Sequence, residues 1–259
     1  MSTSSAADVV DDQVHTGQLL SLRGLGKTFA DSTQALSNIT MDIGWKEFVS
    51  LVGPSGCGKS TILRIAAGLE TPTSGECVVQ TTKVGFVFQD ATLLPWRNVF
   101  RNIELLIELD DVEPGERKRR VHEIMQLVDL VDSARKYPRQ LSGGMKMRTS
   151  LARSLVSNPD LFLFDEPFSA LDEFTRERLN DELLALFAQR KFAALFVTHS
   201  IAEAVYMSSR VVVMSPRPGT IARVITVPYS YPRRHDIRYT PQFAEICGQV
   251  SRALRQDSQ

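Results

Sequence analysis

The sequence predicts an α/β fold: a mainly parallel sheet with helices on both faces, an N-terminal antiparallel β subdomain and a helical insertion. Short, almost wholly apolar runs such as "EFVSLVG" (47–53), "DLFLFDE" (160–166) and "AALFVTH" (193–199) suit strands buried on both faces. Between the last two lies an amphipathic helix, "DEFTRERLNDELLALFAQR" (172–190). The stretch from about 98 to 157 has few strand signals, and Val121, Ile124, Met125 and Val128 recur there at helical spacing.

The elements follow in order. "LLSLRGL" (19–25) and "NITMDI" (38–43) alternate as strands, the second with Ile39, Met41 and Ile43 on one face. The run 47–53 leads into a glycine loop. From Lys59 the period becomes helical, with Ile62, Leu63, Ile65 and Ala66 on one face and Gly68 as the stop. "TPTSGE" (71–76) has turn composition, and short strands follow at 76–80 and 83–88. In the helical insertion, the charges of "ERKRR" (116–120) form the solvated face of a helix rather than a nucleic-acid site. After the runs at 160–166 and 193–199, "RVVVMS" (210–215) is a further strand. Beyond Pro216 the pattern carries little information.

Bulk properties narrow the function classes. The chain has 259 residues, 43% hydrophobic and 23% charged, with a formal net charge of zero. That suits one large globular domain or a core with one sizeable insertion, and the balanced charge argues against a dedicated nucleic-acid binder. Cys57, Cys77 and Cys247 are widely spaced and odd in number, so neither a disulfide framework nor a zinc site is expected. Residues 1–18 are Ser- and Asp-rich and read as a loose tail, without the apolar centre of a signal peptide. No run approaches the ~20 apolar residues of a spanning helix.

The chemistry is concentrated in a few motifs. "GPSGCGKST" comprises Gly53, Pro54, Ser55, Gly56, Cys57, Gly58, Lys59, Ser60 and Thr61. It matches the phosphate-loop pattern in full and stands between a buried strand and a helix, the context that pattern requires. Backbone N–H groups at its glycines and the helix dipole favour phosphate. Lys59 suits the β- and γ-phosphates of a nucleotide, and the Ser60 hydroxyl suits Mg²⁺. "LFLFDE" ends a buried strand on Asp165 and Glu166. At the carboxyl edge of such a sheet, Asp165 is expected to share the Mg²⁺ and Glu166 to act as general base on water. Gln89 and His199 also follow apolar runs, so the same edge would gather them: Gln89 toward metal or water, His199 toward the γ-phosphate.

"LSGGM" follows no strand. It opens a helix, and Ser142, Gly143, Gly144 and Met145 there form a second anion site within the helical insertion. The economical reading is that it binds the γ-phosphate held by a second copy, so that a head-to-tail dimer completes two ATP sites at its seam.

"GPSGCGKST", Gln89, "LSGGM", "LFLFDEPFSALD" and "VTHS" stand in the order and spacing of ABC-transporter ATPase subunits, and the chain resembles that family over roughly 19–225. The resemblance implies a P-loop NTPase core, a helical subdomain at about 98–157 and a C-terminal extension over 226–259. It implies that Phe29 stacks on adenine and that Ser169, Ala170, Leu171 and Asp172 link the two sites across the dimer. "DATLLPWRNVFRNI" after Gln89 resembles the surface that receives a permease. "LLPWRNVFRNI", "GGMKMR", "DEPFSALDEFTR" and "VVVMSPRPGTI" resemble the nitrate-, sulfonate-, taurine- and pyrimidine-type importers. Met145 departs from the usual Gln, Phe29 from Tyr, and Ser200 from Asp.

The implied protein is an ATPase subunit that powers import of a small solute, peripheral on the cytoplasmic face of a bacterial inner membrane. Its implied partners are a second ATPase subunit, two permease subunits and a periplasmic or extracellular solute-binding protein, with no nucleic acid. The alternative is a soluble ABC-type ATPase acting on nucleic acid or ribosomes. Such proteins usually carry both ATPase halves or a long coiled coil. A GTPase would need an N-K-x-D motif, and the chain has none.

Overall fold

The strands divide between two sheets. The structure is a computed structural model that describes residues 17–110, 112–190 and 192–256. Of the expected tail, residues 1–16 lie outside that description, and Gln18 already belongs to the first strand.

β1 (Gln18–Thr28), β2 (Gln34–Gly44) and β4 (Ser74–Val79) form an antiparallel sheet in the order β2-β1-β4. Leu20 and Leu22 of β1 and Ile39, Met41 and Ile43 of β2 are buried, as the alternation of the sequence requires, and a register shift between Leu22 and Leu25 brings Leu25 inward as well. The turn expected over 71–76 is shorter than its composition suggests, because Ser74 pairs with Gly26 and starts β4. Gly75 makes this possible. Its φ is +71°, and a Cβ there would overlap the Gly24 carbonyl oxygen, so the kinked start of β4 needs glycine.

The larger sheet runs β5-β6-β7-β3-β8-β9. β3 (Phe48–Val52), β5 (Val84–Val87), β6 (Leu161–Asp165), β7 (Ala193–Val197) and β8 (Arg210–Met214) are parallel to their neighbours within that set. Successive residues serve opposite cores. Phe162 and Phe164 of β6 join Phe48 and Phe196 on one face, and Leu161 and Leu163 join Val49 and Leu51 on the other. Phe162 stacks on Phe164 at 5.2 Å, and Phe187 meets Phe48 edge-on at 5.3 Å. Both faces are covered, which is why these strands read as unbroken apolar runs.

α1 (Lys59–Ala66) packs between the two sheets. The stretch between β5 and β6 holds α2 (Val99–Leu109), α3 (Pro114–Leu127) and α4 (Gly143–Leu155). Their starts have local causes: Asn98 accepts from the Arg101 amide, Glu113 from Gly115 and Glu116, and Ser142 from Met145. α5 (Glu173–Arg190) and α6 (Ile201–Met207) cover the Phe48 face.

The tail past Pro216 is the main difference from expectation. β9 (Ile221–Thr226) pairs antiparallel with β8, and α7 (Pro241–Gln256) packs on α6, β8 and β9. Phe243, Ile246, Val250 and Ala253 are its buried stripe. Between β9 and α7, Arg233 donates to the carbonyls of Val205 and Ser208 and faces the Tyr231 ring at 4.4 Å. It thereby satisfies carbonyls at the end of α6 that have no intrahelical partner.

Candidate functional site

β3 ends at Val52 and releases the chain into Gly53–Gly58, and α1 starts at Lys59. Gly58 has φ +100°, and a Cβ on it would press 3.0 Å from the Ala35 carbonyl oxygen and into Leu36. Only glycine lets the loop turn there and aim its amides at the mouth of the helix. Lys59 is buried, and its ammonium donates to the carbonyls of Gly53 at 2.8 Å and Pro54 at 2.9 Å, across the loop. Cys57 lies buried beneath them, and burial pushes its thiol pKa up, so it is an inert wall of the loop.

The carboxyl ends of β6 and β7 bring the acidic groups to the same place. The Ser60 hydroxyl donates to Asp165 Oδ1 at 2.8 Å. Burial raises the pKa of Asp165, opposed by that hydrogen bond and supplemented by the charge of Glu166. Among the described residues no group of three or more His, Cys, Asp or Glu side chains could hold a metal. A cation at Ser60 and Asp165 would therefore complete its shell with phosphate and water oxygens, a hard-oxygen donor set that fits Mg²⁺.

Glu166 follows β6 with φ +46°, in the left-handed region. Its amide donates to Val197 O at 3.0 Å, and this bond holds the strained turn in place. The turn swings its carboxylate to 3.1 Å from His199 Nδ1. His199 stands two residues past the end of β7 rather than at the strand end, because pairing with β6 stops at Val197. Gln89 likewise lies two residues past β5, whose pairing stops at Val87. Its amide donates to Ser169 Oγ at 3.3 Å, and Ser169 Oγ donates to Glu166 O at 3.0 Å. The edge thus joins Gln89 to Glu166 through Ser169, a link between residues far apart in sequence.

Phe29 closes the turn between β1 and β2. It is 39% exposed, with the Lys27 ammonium 5.3 Å from its ring centre. An exposed aromatic face at that point is available to a flat ligand.

Ser142, Gly143, Gly144 and Met145 lie elsewhere. They line a groove of about 270 Å³ with Ala170, Leu171, Asp172, Thr175 and Arg178, and no residue of Gly53–Thr61 lines it. Gly143 faces Leu171 and Gly144 faces Thr175, where a Cβ would come to 3.3 and 3.2 Å of those side chains, a tight fit. Asp172 caps α5 through the Thr175 amide at 3.0 Å. Arg176 donates to the carbonyls of Phe168 and Leu171 and holds the 168–172 loop against this groove. The exposed Trp96 lies between β5 and α2.

Behind this edge is a group that the motifs do not disclose. Glu203 is buried in α6, bonded to the Thr198 hydroxyl beside His199, and burial raises its pKa. Its signal in the sequence is weak, since a single acid in a short helix usually faces solvent.

Comparison with known proteins agrees with this arrangement. A family model described as "ABC transporter" matches residues 36–169. The aliphatic sulfonates import ATP-binding protein SsuB of Bacillus thuringiensis subsp. konkukian is 42% identical over 224 residues, covering 83% of this chain and 88% of that one. An uncharacterized ABC transporter ATP-binding protein of Methanocaldococcus jannaschii is also 42% identical over 224 residues, covering 83% of this chain and 84% of that one. Among solved structures, a dimeric ATP-binding cassette in a post-hydrolysis state with ADP and Pi superposes with a TM-score of 0.73. It is 32% identical and covers 82% of this chain and 100% of that one. With the phosphate loop, the paired carboxylates and the matching fold in one chain, this protein belongs to the ABC transporter family of ATP-binding subunits and is an ATP hydrolase.

Proposed function

We propose that this subunit powers import of a small solute through a separate membrane permease, with ATP sandwiched between two head-to-tail copies. The observation that carries the dimer is the separation of the two anion sites: the Ser142–Met145 groove includes none of the chain's own phosphate loop. The dimeric state of a similar cassette supports it. The working ATPase unit is residues 19–225, with the insertion at about 98–157 and an extension over 226–259.

In this reading Gly53–Thr61 cradles the phosphates, Phe29 stacks on adenine, and Lys59 neutralises the β- and γ-phosphates. Ser60, Asp165 and Gln89 would hold Mg²⁺, which would neutralise charge on the phosphates when bound. Glu166 takes the proton of the attacking water, and His199 orients that carboxylate and meets the γ-phosphate. Ser142, Gly143, Gly144 and Met145 approach the γ-phosphate of the opposite copy, and Ser169–Asp172 passes its position to Glu166. ATP favours the closed dimer because only there does the γ-phosphate gain the opposite donors, and hydrolysis removes that difference.

The permease surface is the segment after Gln89, where Trp96 is 71% exposed. No helix of the described residues is long and apolar enough to cross a membrane. The sulfonate-import relatives favour a sulfonate among the nitrate, sulfonate, taurine and pyrimidine-precursor solutes. A solute-binding protein outside the membrane would deliver it, and this subunit would sit peripherally on the cytoplasmic face of the inner membrane.

Affinity purification of the tagged chain from detergent-solubilised native membranes tests the reading. Recovery of a multi-span permease in near-equal amount is expected. Recovery only with ribosomes, nucleic acid or soluble proteins would replace it with the soluble-ATPase alternative.

A further inference from the structure

The turn between β8 and β9, Ser215–Thr220, lies outside the machinery described above and is packed against the outer side of the phosphate loop. It is internally fixed: the Ser215 amide donates to Thr220 O at 3.0 Å, and the Thr220 amide donates to Ser215 Oγ at 3.0 Å. Its tip is stitched to β2, with Gly219 N donating to Ala35 O at 2.9 Å and Ser37 N to Gly219 O at 2.9 Å. Gly219 is so close to the loop that a Cβ there would overlap the Cys57 carbonyl oxygen. From this platform Arg217 reaches the crown of the loop, where its Nε donates to Gly56 O at 3.2 Å. Its Nη2 would lie 3.3 Å from a Cβ on Gly56. The same guanidinium is among the charges felt by Asp31, two residues past Phe29, whose carboxylate the Thr33 amide chiefly holds below its usual pKa.

The geometry of a peptide unit gives this contact its meaning. The Gly56 carbonyl and the Cys57 N–H belong to one planar group and point in opposite directions. Gly56 has φ +76°, and without a Cβ it sets little steric limit on the orientation of that plane. A donor that holds the carbonyl outward therefore turns the Cys57 N–H the other way, where it makes only a long hydrogen bond to Pro54 O at 3.4 Å that an arriving phosphate oxygen can replace. Inward amides are what a phosphate meets in such a loop. A loop already ordered loses less entropy when its ligand arrives.

We propose that Arg217 is a positioning residue for nucleotide binding: it pins the Gly56–Cys57 peptide so that the Cys57 N–H faces phosphate, with the Ser215–Thr220 turn as rigid backing. This rests on Gly53–Thr61 being the ATP phosphate loop. Arg217 is exposed, so its replacement leaves the folded core untouched.

The test is calorimetric titration with a non-hydrolysable ATP analogue and Mg²⁺, beside steady-state ATPase kinetics, on the full chain and its Arg217→Ala, Arg217→Lys and Lys59→Ala variants. Arg217→Ala should raise both Kd and KM about tenfold, the order for a ligand that must itself fix one loop residue's backbone, with a much smaller fall in kcat. Its melting temperature should stay close to that of the parent, as for a surface substitution. Arg217→Lys, with an ammonium in reach of the same carbonyl, should recover most of the affinity. Unchanged Kd and KM in Arg217→Ala overturn the proposal, as does a loss that lysine leaves uncorrected and that tracks a lower melting temperature. Undiminished binding by Lys59→Ala would instead overturn the phosphate-loop reading itself, and the proposal with it.

Discussion

Glu166 touches His199, Glu203 bonds to the neighbouring Thr198, and the two have different consequences. Replacement of Glu166 by Gln keeps the size of the side chain but removes the carboxylate, 3.1 Å from His199, that we propose as the base. Turnover should fall by ~10²–10⁴-fold with ATP affinity retained, as measured by phosphate release and nucleotide titration. Near-normal turnover would remove Glu166 from the base role. Glu203 bears on stability. Burial raises its pKa above the unfolded value, against the smaller lowering effects of Thr198, Asn180, Arg176 and His199. Between those two pKa values the folded state holds a proton that the unfolded state has lost, so stability should decline as pH rises from ~4.3 toward the raised pKa. Glu203→Gln removes that slope. Denaturant melts at several pH values read the difference, and parallel profiles for both proteins would contradict it. The motif residues were legible because a phosphate loop and a strand-terminal acid pair are local patterns. The Gln89–Ser169 bond and the setting of Glu203 were not, since each depends on neighbours brought together only by folding.

At the level of elements, β4 offers a direct check on a turn that composition overextends. "TPTSGE" has the residues of a turn, yet pairing with Gly26 claims Ser74 for the sheet, with Gly75 absorbing the kink. Gly75→Ala should destabilise the protein by at least ~1–2 kcal/mol, the cost of a Cβ in the left-handed region, with the clash against Gly24 added. Chemical denaturation would show it, and an unchanged midpoint would mean that β4 starts later than it does here. The apolar runs of β3, β6 and β7 were readable because burial on both faces leaves no polar alternation to confuse. α7 carries a stripe of Phe243, Ile246, Val250 and Ala253 at helical spacing, so its signal was present in the tail. What the tail did not show was the surface of α6, β8 and β9 that the stripe covers.

For the whole molecule, the decisive quantity is the association of two copies. A single chain presents the phosphate loop on the sheet edge and the Ser142–Met145 groove apart from it. With hydrolysis blocked by Glu166→Gln, Mg²⁺ and ATP should convert monomer to dimer in light scattering, and ADP should not. Introducing Ser142→Ala into that background should weaken the dimer, both by removing a donor and by uncapping α4 at a cost of about 1 kcal/mol. A nucleotide-independent monomer at high protein concentration would exclude the sandwich. If Ser60 and Asp165 hold Mg²⁺ as proposed, chelating it should have the same effect as omitting ATP.

The left-handed backbone at Glu166 also limits how this active site can decay over evolutionary time. Codon neighbours of glutamate include aspartate, glycine and valine, but the torsion at this position taxes them unequally. Glycine and aspartate enter the left-handed region readily, whereas a β-branched side chain does so at real cost. A gene duplicate that abandons hydrolysis while keeping its architecture should therefore drift toward aspartate or glycine here, and valine should be rare in its descendants.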